Sequence, residues 1–393
     1  MCTGLNLVTE NGEHIFGRSL DVICNYTESI NIVPRNFKWL NVVDNKSYKT
    51  KYAIIGMSIV VNNHPLFFDG TNEKGLAGAG LNFLSFAKFS EEAIEGKNNI
   101  SASDFLLWAL GNFSNLEELK TALENLNLVN KGINEKISVQ GLHWIFTDLT
   151  GKRIVVENTE DGMHVYDNLV GVLTNDPTFP WQITNLNQYV PLSAEEPSKK
   201  KIVDLNISPY GHGLGMCGMP GDYSPAARFV RTVFFKNNIA CAEDEKSGVT
   251  AFFKILSTVN IPKGSEREKN GHMNYTSYKS AMCQESGTYY YTTYDNRRIN
   301  AVSLFKEDLD SRWTVFHSVK WVGNEFVGQS QGECDFILIN KDYGILIIEV
   351  KGGKVTSANG KWYSLNRENY KNEISNPQNE ADKSKFICFI LRI

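Results

Sequence analysis

No stretch of this chain approaches the ~18 uninterrupted apolar residues that a membrane-crossing helix needs. The N-terminus also lacks a basic segment followed by an apolar core, so no secretory signal is expected. Cysteine is sparse and scattered, at positions 2, 24, 217, 241, 283, 334 and 388, odd in number and without CxxC spacing. That pattern argues against a disulfide scaffold or a zinc site and for free thiols in a reducing compartment, with a bacterial-type cytoplasm as the default. The histidines show no metal-ligand spacing, and no internal repeat or low-complexity tract stands out. A net charge of only −4 gives no electrostatic case for binding nucleic acid or a membrane surface. What remains is ordinary globular composition, 42% apolar and 21% charged, in a chain long enough for one large domain or two of usual size.

The charge is not spread evenly. Residues 312–393 carry 11 Lys/Arg against 9 Asp/Glu, a balance of +2 that leaves −6 for residues 1–311. Texture changes at the same place, which puts a domain boundary near Ser311 and predicts domains at 1–311 and 312–393. Before it, "SASDFLLWALGNFSNLEELKTALENLNL" has apolar residues at helical spacing, with Ser101 or Ser103 as N-cap. "SPAARFVRTVFFKNN" predicts a second helix, with Ser224 as N-cap and Pro225 in the first helical position. Strands are predicted at 2–9, 13–21, 53–61, 142–148, 152–157, 164–173 and 287–294. Strands mixed with two helical blocks indicate an α+β layered fold rather than a regular βαβ alternation.

The N-terminal stretch "MCTGLNLVTENGEHIFGRSLD" reads as a hairpin, because Asn11-Gly12 suits a type I′ turn. A two-residue loop there sets Cys2 opposite Asp21, with Arg18 one step diagonal. Loss of Met1, which a small residue at position 2 permits, would leave Cys2 with both a thiol and a free α-amine. Reference pKa values of about 8.5 and 7.7–8.0 make the pair a nucleophile with its own general base. Arg18 would favour the thiolate, and Asp21 could orient the amine. A frayed terminus beside a solvated hairpin face fits the spacing equally well.

Five blocks, "MCTGL", "GRSLD", "GLNF", "GVLTNDP" and "MPGDYSPAARF", together resemble the choloylglycine hydrolase family of conjugated bile salt hydrolases and penicillin V acylases. The resemblance runs from Met1 to about residue 310. It implies an N-terminal nucleophile hydrolase with a four-layer αββα sandwich. By the same resemblance Cys2 is the nucleophile, and Arg18 and Asp21 tune and orient it. Asn82 and Asn175 position the scissile amide and stabilise its oxyanion, and Arg228 completes the polar network. These types suit amide hydrolysis, where preorganised donors facing the developing oxyanion are usually the largest contribution. Taken singly, Asn175 before Asp-Pro could simply begin a turn, Asn82 says little, and Arg228 is an odd cation in the first turn of a helix.

Within the family, Asn at position 82 goes with bile salt hydrolases and Tyr with penicillin V acylases, so the resemblance favours a glycine- or taurine-conjugated bile salt. Leu20, Val61, Phe68, Ile133 and Ile137 lie on segments resembling the family's pocket loops, although ordinary packing explains each one as well. The reaction implied needs no cofactor. "GLGMCG" (213–218) matches GxGxxG, but no strand precedes it and the helix opens only at Ser224, so it is no dinucleotide fingerprint. It resembles instead a loop involved in the family's tetramer assembly.

Past the boundary, "GECDFILINKDYGILIIEVKGGKV" resembles a partial nuclease-related domain of the restriction-endonuclease-like class, a small α/β module. Asp335 and Glu349 match its metal-binding acids and Lys351 its water-positioning residue, a set suited to Mg²⁺. Nucleic acid is a partner only if this module is functional. A partial domain cannot bury its apolar face fully, so it is expected to be less stable than the first domain.

Overall fold

The computed structural model describes residues 1–134, 137–307 and 309–310, together with the backbones of six C-terminal strands between 313 and 374. The chain divides into two compact units, Met1–Leu309 and Asp310–Ile393.

The first unit is a four-layer αββα sandwich. One antiparallel sheet is centred on β1 (Cys2–Val8) and β2 (His14–Val22). Val172–Leu173 flanks β1, and Met273–Cys283, Thr288–Thr293 and Asn300–Ser303 extend from β2. The facing sheet runs Gly162–Asp167, Arg153–Thr159, Leu142–Thr147, Ala77–Asn82, His64–Asn72, Ile54–Val61 and Ser29–Val33. Apolar side chains of both sheets, among them Leu5, Phe16, Ala79, Leu81 and Ile145, meet in one buried cluster.

Helices close the outer faces. Helices α1 (Phe105–Asn112) and α2 (Leu116–Leu123) cover the facing sheet, where Phe105 packs edge-on to Trp144 and Phe146. The single helical block expected at 101–128 is broken here. Ser101 caps a 3₁₀ turn, and the Asn115 side chain accepts from the Glu118 N–H to start α2. A short helix, α3, follows at Phe179–Asn185. Helices α4 (Pro225–Asn238) and α5 (Glu245–Ser257) cover the β1–β2 sheet, and α4 begins as expected with a Ser224 cap and Pro225.

The register of the first hairpin corrects the sequence expectation. Cys2 pairs with Leu20, not Asp21, and Arg18 pairs with Gly4. Only Gly12 has positive φ in the turn, at 90°, whereas Asn11 does not. The Gly12 N–H donates to the Thr9 carbonyl and the Thr9 N–H to that of Glu13. This is a three-residue loop closed by a left-handed glycine, and it shifts every pair by one relative to a type I′ turn. Because side chains alternate along a strand, Cys2 and Arg18 share one face while Asp21 joins Thr3 and Ser19 on the other.

In the second unit, Trp313–Val322, Gln331–Asn340 and Gly344–Ile348 form one antiparallel meander, and Lys354–Ala358, Lys361–Leu365 and Lys371–Ile374 another. Asp335 sits within the second of these strands, but Glu349 and Lys351 lie outside the described residues. Among the described residues, no helix is long and apolar enough to cross a membrane.

Candidate active site

β2 is a central strand buried almost throughout, yet its sequence includes Arg18, Ser19 and Asp21, each with no exposure to solvent. Such burial is expensive unless each group finds partners, and the partners define the site. Arg18 pairs with Gly4 in the register, and its guanidinium reaches the facing sheet, which packs directly against β2. There Arg18 donates from Nη1 to the carbonyls of Phe68, at 3.1 Å, and Gly80, while Nε donates to the Ser19 carbonyl at 3.1 Å. Nη2 has no partner.

Cys2 itself is buried. Burial alone would raise its pKa, but the Arg18 charge, the N-terminal ammonium and a hydrogen bond from the Asn82 backbone outweigh it and the opposing Asp21, leaving the thiol below its ordinary value. Cys283 shows what burial does without a cation: its thiol is pushed up to about 11. The reactive form is therefore selectively stabilised at Cys2.

On the other face of β1, Arg228 reaches inward from the first turn of α4. It donates from Nη1 to Thr3 Oγ1 at 2.8 Å and to the Cys2 carbonyl, and from Nη2 to Asn175 Oδ1 at 2.7 Å. The same Asn175 oxygen accepts the Cys2 N–H at 2.8 Å. Asn175 Nδ2 donates to the Asn82 carbonyl at 2.8 Å. A primary amide carries two N–H donors, so Asn175 is held on three sides with a second N–H still available. The Asp21 carboxylate accepts from Thr276 Oγ1 at 2.6 Å and Ser19 Oγ at 3.4 Å, and its backbone carbonyl takes the Met1 ammonium at 2.6 Å. Asp21 thus lies beside the Met1–Cys2 backbone, not across from the thiol.

Cys2, Arg18, Asp21, Asn175 and Arg228, all buried, and the half-buried Asn82 are therefore gathered together from segments more than 200 residues apart. Of the five candidate pocket residues, Leu20 pairs directly with Cys2, and Phe68 packs on the same apolar cluster while its carbonyl holds Arg18. Val61 lies at a strand end, and Ile133 and Ile137 lie in the 130–141 loop. All three are half-buried, and the described contacts give them no link to Cys2.

Sequence reasoning missed Asp69. Fully buried, it accepts hydrogen bonds from Tyr278 and Tyr289. Burial raises its pKa, against the pull of Arg18 and the two phenols. A carboxyl on a strand within "FFDGTN" looks like a turn residue, and only its buried neighbours reveal otherwise.

The model of the choloylglycine hydrolase family of linear amide C–N hydrolases matches residues 2–316. The chain belongs to this family. A bile salt hydrolase/transferase of Clostridium perfringens is 46% identical over 310 residues, covering 79% of this chain and 94% of that protein. A conjugated bile acid hydrolase of Lactobacillus acidophilus is 41% identical over 312 residues, covering 79% and 98%. The crystal structure of a mutant conjugated bile acid hydrolase from C. perfringens superposes with a TM-score of 0.76, over 79% of this chain and 94% of that one. Penicillin V acylase from Agrobacterium tumefaciens, at 20% identity and a TM-score of 0.64, shares the fold. A nuclease-related domain model matches residues 296–389.

Proposed function

We propose that this choloylglycine hydrolase family member cleaves the amide of conjugated bile salts through Cys2. The observation that carries the reading is the Cys2–Arg18–Asn175–Arg228 network, in which a buried thiol is held toward its ionised form beside an amide donor. Two relatives above 40% identity are named for bile salts or bile acids, and Asn rather than Tyr stands at position 82.

Removal of Met1 would turn the Cys2 N–H, already directed at Asn175, into an α-amine. Cys2 Sγ then attacks the substrate's carbonyl carbon, forming a C–S bond, and its proton passes to that amine. Negative charge on the former carbonyl oxygen is met by N–H donors at Asn175 and Asn82. Collapse of the tetrahedral species breaks the C–N bond; the amine returns the proton to the departing glycine or taurine. Water attacks the cholyl thioester and regenerates the thiol. An amine in place of water would give transfer, the second activity in the name of the C. perfringens relative.

Leu20 and Phe68 are the pocket candidates that lie beside Cys2 and Arg18 and would meet the apolar part of the substrate, with Val61, Ile133 and Ile137 as further candidates farther out. The reaction uses no cofactor. We further infer a cytoplasmic protein that assembles as a homotetramer; the hairpin Lys200–Ile202/Leu205–Ile207 exposes Ile202, Val203 and Leu205, an apolar surface suited to a second copy. Asp335 and Glu349 would bind Mg²⁺, with Lys351 positioning water and nucleic acid as the partner, only if the second unit is active. The decisive experiment is glycine release from glycocholate. Wild-type protein should turn it over and Cys2→Ser should not; near wild-type turnover by the variant rules the mechanism out.

A further inference from the structure

His143 and Glu157 face each other on adjacent strands of the facing sheet, beside the Trp144–Val156 pair. Neither has any exposure to solvent. His143 Nδ1 lies 3.0 Å from Glu157 Oε1, and Nε2 lies 3.0 Å from the Thr174 carbonyl. A carbonyl oxygen only accepts, so Nε2 carries a hydrogen and donates it, and Nδ1 and Oε1 share one further proton. Glu157 Oε1 also accepts the N–H of Phe179, the first residue of α3, at 2.9 Å. Glu157 Oε2 is buried without a hydrogen-bond partner among the described residues. The Phe83 ring stacks on the His143 ring, 4.3 Å between centres and 7° from parallel.

Each of these contacts ends on a segment next to the site. Thr174 precedes Asn175, Phe83 follows Asn82, and Phe179 opens the helix just after the Asn175–Asp176–Pro177 turn. Thr174 Oγ1 in turn donates to the carbonyl of Pro225, which begins the helix that carries Arg228. A buried imidazole and carboxyl cost more than an apolar pair of equal volume. Their polar contacts outside the pair go to Thr174 and Phe179.

We propose that His143 and Glu157 form a positioning dyad: without touching substrate, they fix the Asn82 and Asn175 segments relative to each other so that the asparagine donors meet the oxyanion. The proposal rests on the reading that Asn82 and Asn175 handle the scissile amide. It separates two reactions of the same thiol. Alkylation of Cys2 by iodoacetamide builds no oxyanion and should not need the dyad, whereas amide hydrolysis should.

The test measures kcat and KM for glycocholate, the alkylation rate and the melting temperature of the full chain. His143→Phe keeps a ring on Phe83 but loses both hydrogen bonds. Its kcat should fall by roughly the 10²-fold typical of one misplaced oxyanion donor, with KM and alkylation nearly unchanged. Glu157→Gln, whose amide can donate to Nδ1 while Nε2–H is kept, should retain part of the rate, with a loss of about tenfold, within the range for displaced catalytic groups. If His143→Phe does not fold, Glu157→Gln decides. Wild-type kcat in a folded variant, or hydrolysis and alkylation falling together, overturns the proposal. Wild-type protein inert toward glycocholate would instead overturn the functional reading itself.

Discussion

Replacing Arg18 by Met keeps most of the side-chain volume and removes the cation that opposes the burial of Cys2. In the native protein, burial raises the thiol pKa while Arg18 leads the effects that bring it below the ordinary 9.0. With Arg18 gone, burial and the Asp21 carboxylate both act upward, with the N-terminal charge and the Asn82 hydrogen bond left to resist them. A single opposite charge at this range is worth about 1–3 pKa units. At neutral pH the thiolate fraction should therefore drop by about 10- to 10³-fold, at ~1.4 kcal/mol per decade. The assay is the pH dependence of iodoacetamide alkylation at Cys2, followed by intact mass on protein shown to be folded. Wild-type protein should give a midpoint below pH 9 and Arg18→Met one displaced upward by about 1–3 pH units. Arg18→Lys, which keeps the charge but not the planar fork, should stay nearer wild type. A midpoint unmoved or lowered in Arg18→Met would refute the electrostatic account. The sign for stability follows. The native thiol pKa is depressed, so its ionisation stabilises the fold above the pH where an unfolded thiol ionises. That contribution disappears as pH falls through the native pKa.

Three further outcomes are expected. Phe105→Ala, which empties a fully buried ring site between Trp144 and Phe146, should destabilise the first unit by about 3–5 kcal/mol in urea unfolding. Asn175→Ala removes the acceptor shared by the Cys2 N–H and Arg228 together with an amide donor, and kcat for glycocholate should fall by about 10²–10³. Adding EDTA or Mg²⁺ should leave glycocholate hydrolysis unchanged, and Glu349→Ala should do the same; a metal-dependent rate would contradict the cofactor-free mechanism.

The six candidate residues were legible because they fall in short blocks that together resemble one family, and the structure brings them near one another. Ser224-Pro225 announced the start of α4, which fixes where Arg228 projects, and Gly12 announced the turn. The register was not legible. Asn11-Gly12 is the strongest short hairpin signal, but the loop closes through Thr9 and Glu13 and leaves only glycine left-handed. That one-residue difference moved Arg18 onto the face of the thiol and Asp21 off it. Asp69, Tyr278, Tyr289 and Glu157 carried no local signal of their own, because their meaning comes from long-range pairing. Tyr278 reaches Asp69 across 209 residues of chain, and His143, on the facing sheet, reaches Thr174 just past the strand that flanks β1. A histidine inside the apolar run "LHWIFT" was the one available hint that a buried polar partner was needed.

The account turns on Cys2 acting as a terminal residue with its own amine. Intact mass spectrometry of active protein, free and quenched during glycocholate turnover, tests this directly. The expected result is a chain lacking Met1 that gains the mass of one cholyl group at Cys2 during turnover. Full activity in protein that still carries Met1, or an acyl adduct on any other residue, would contradict it.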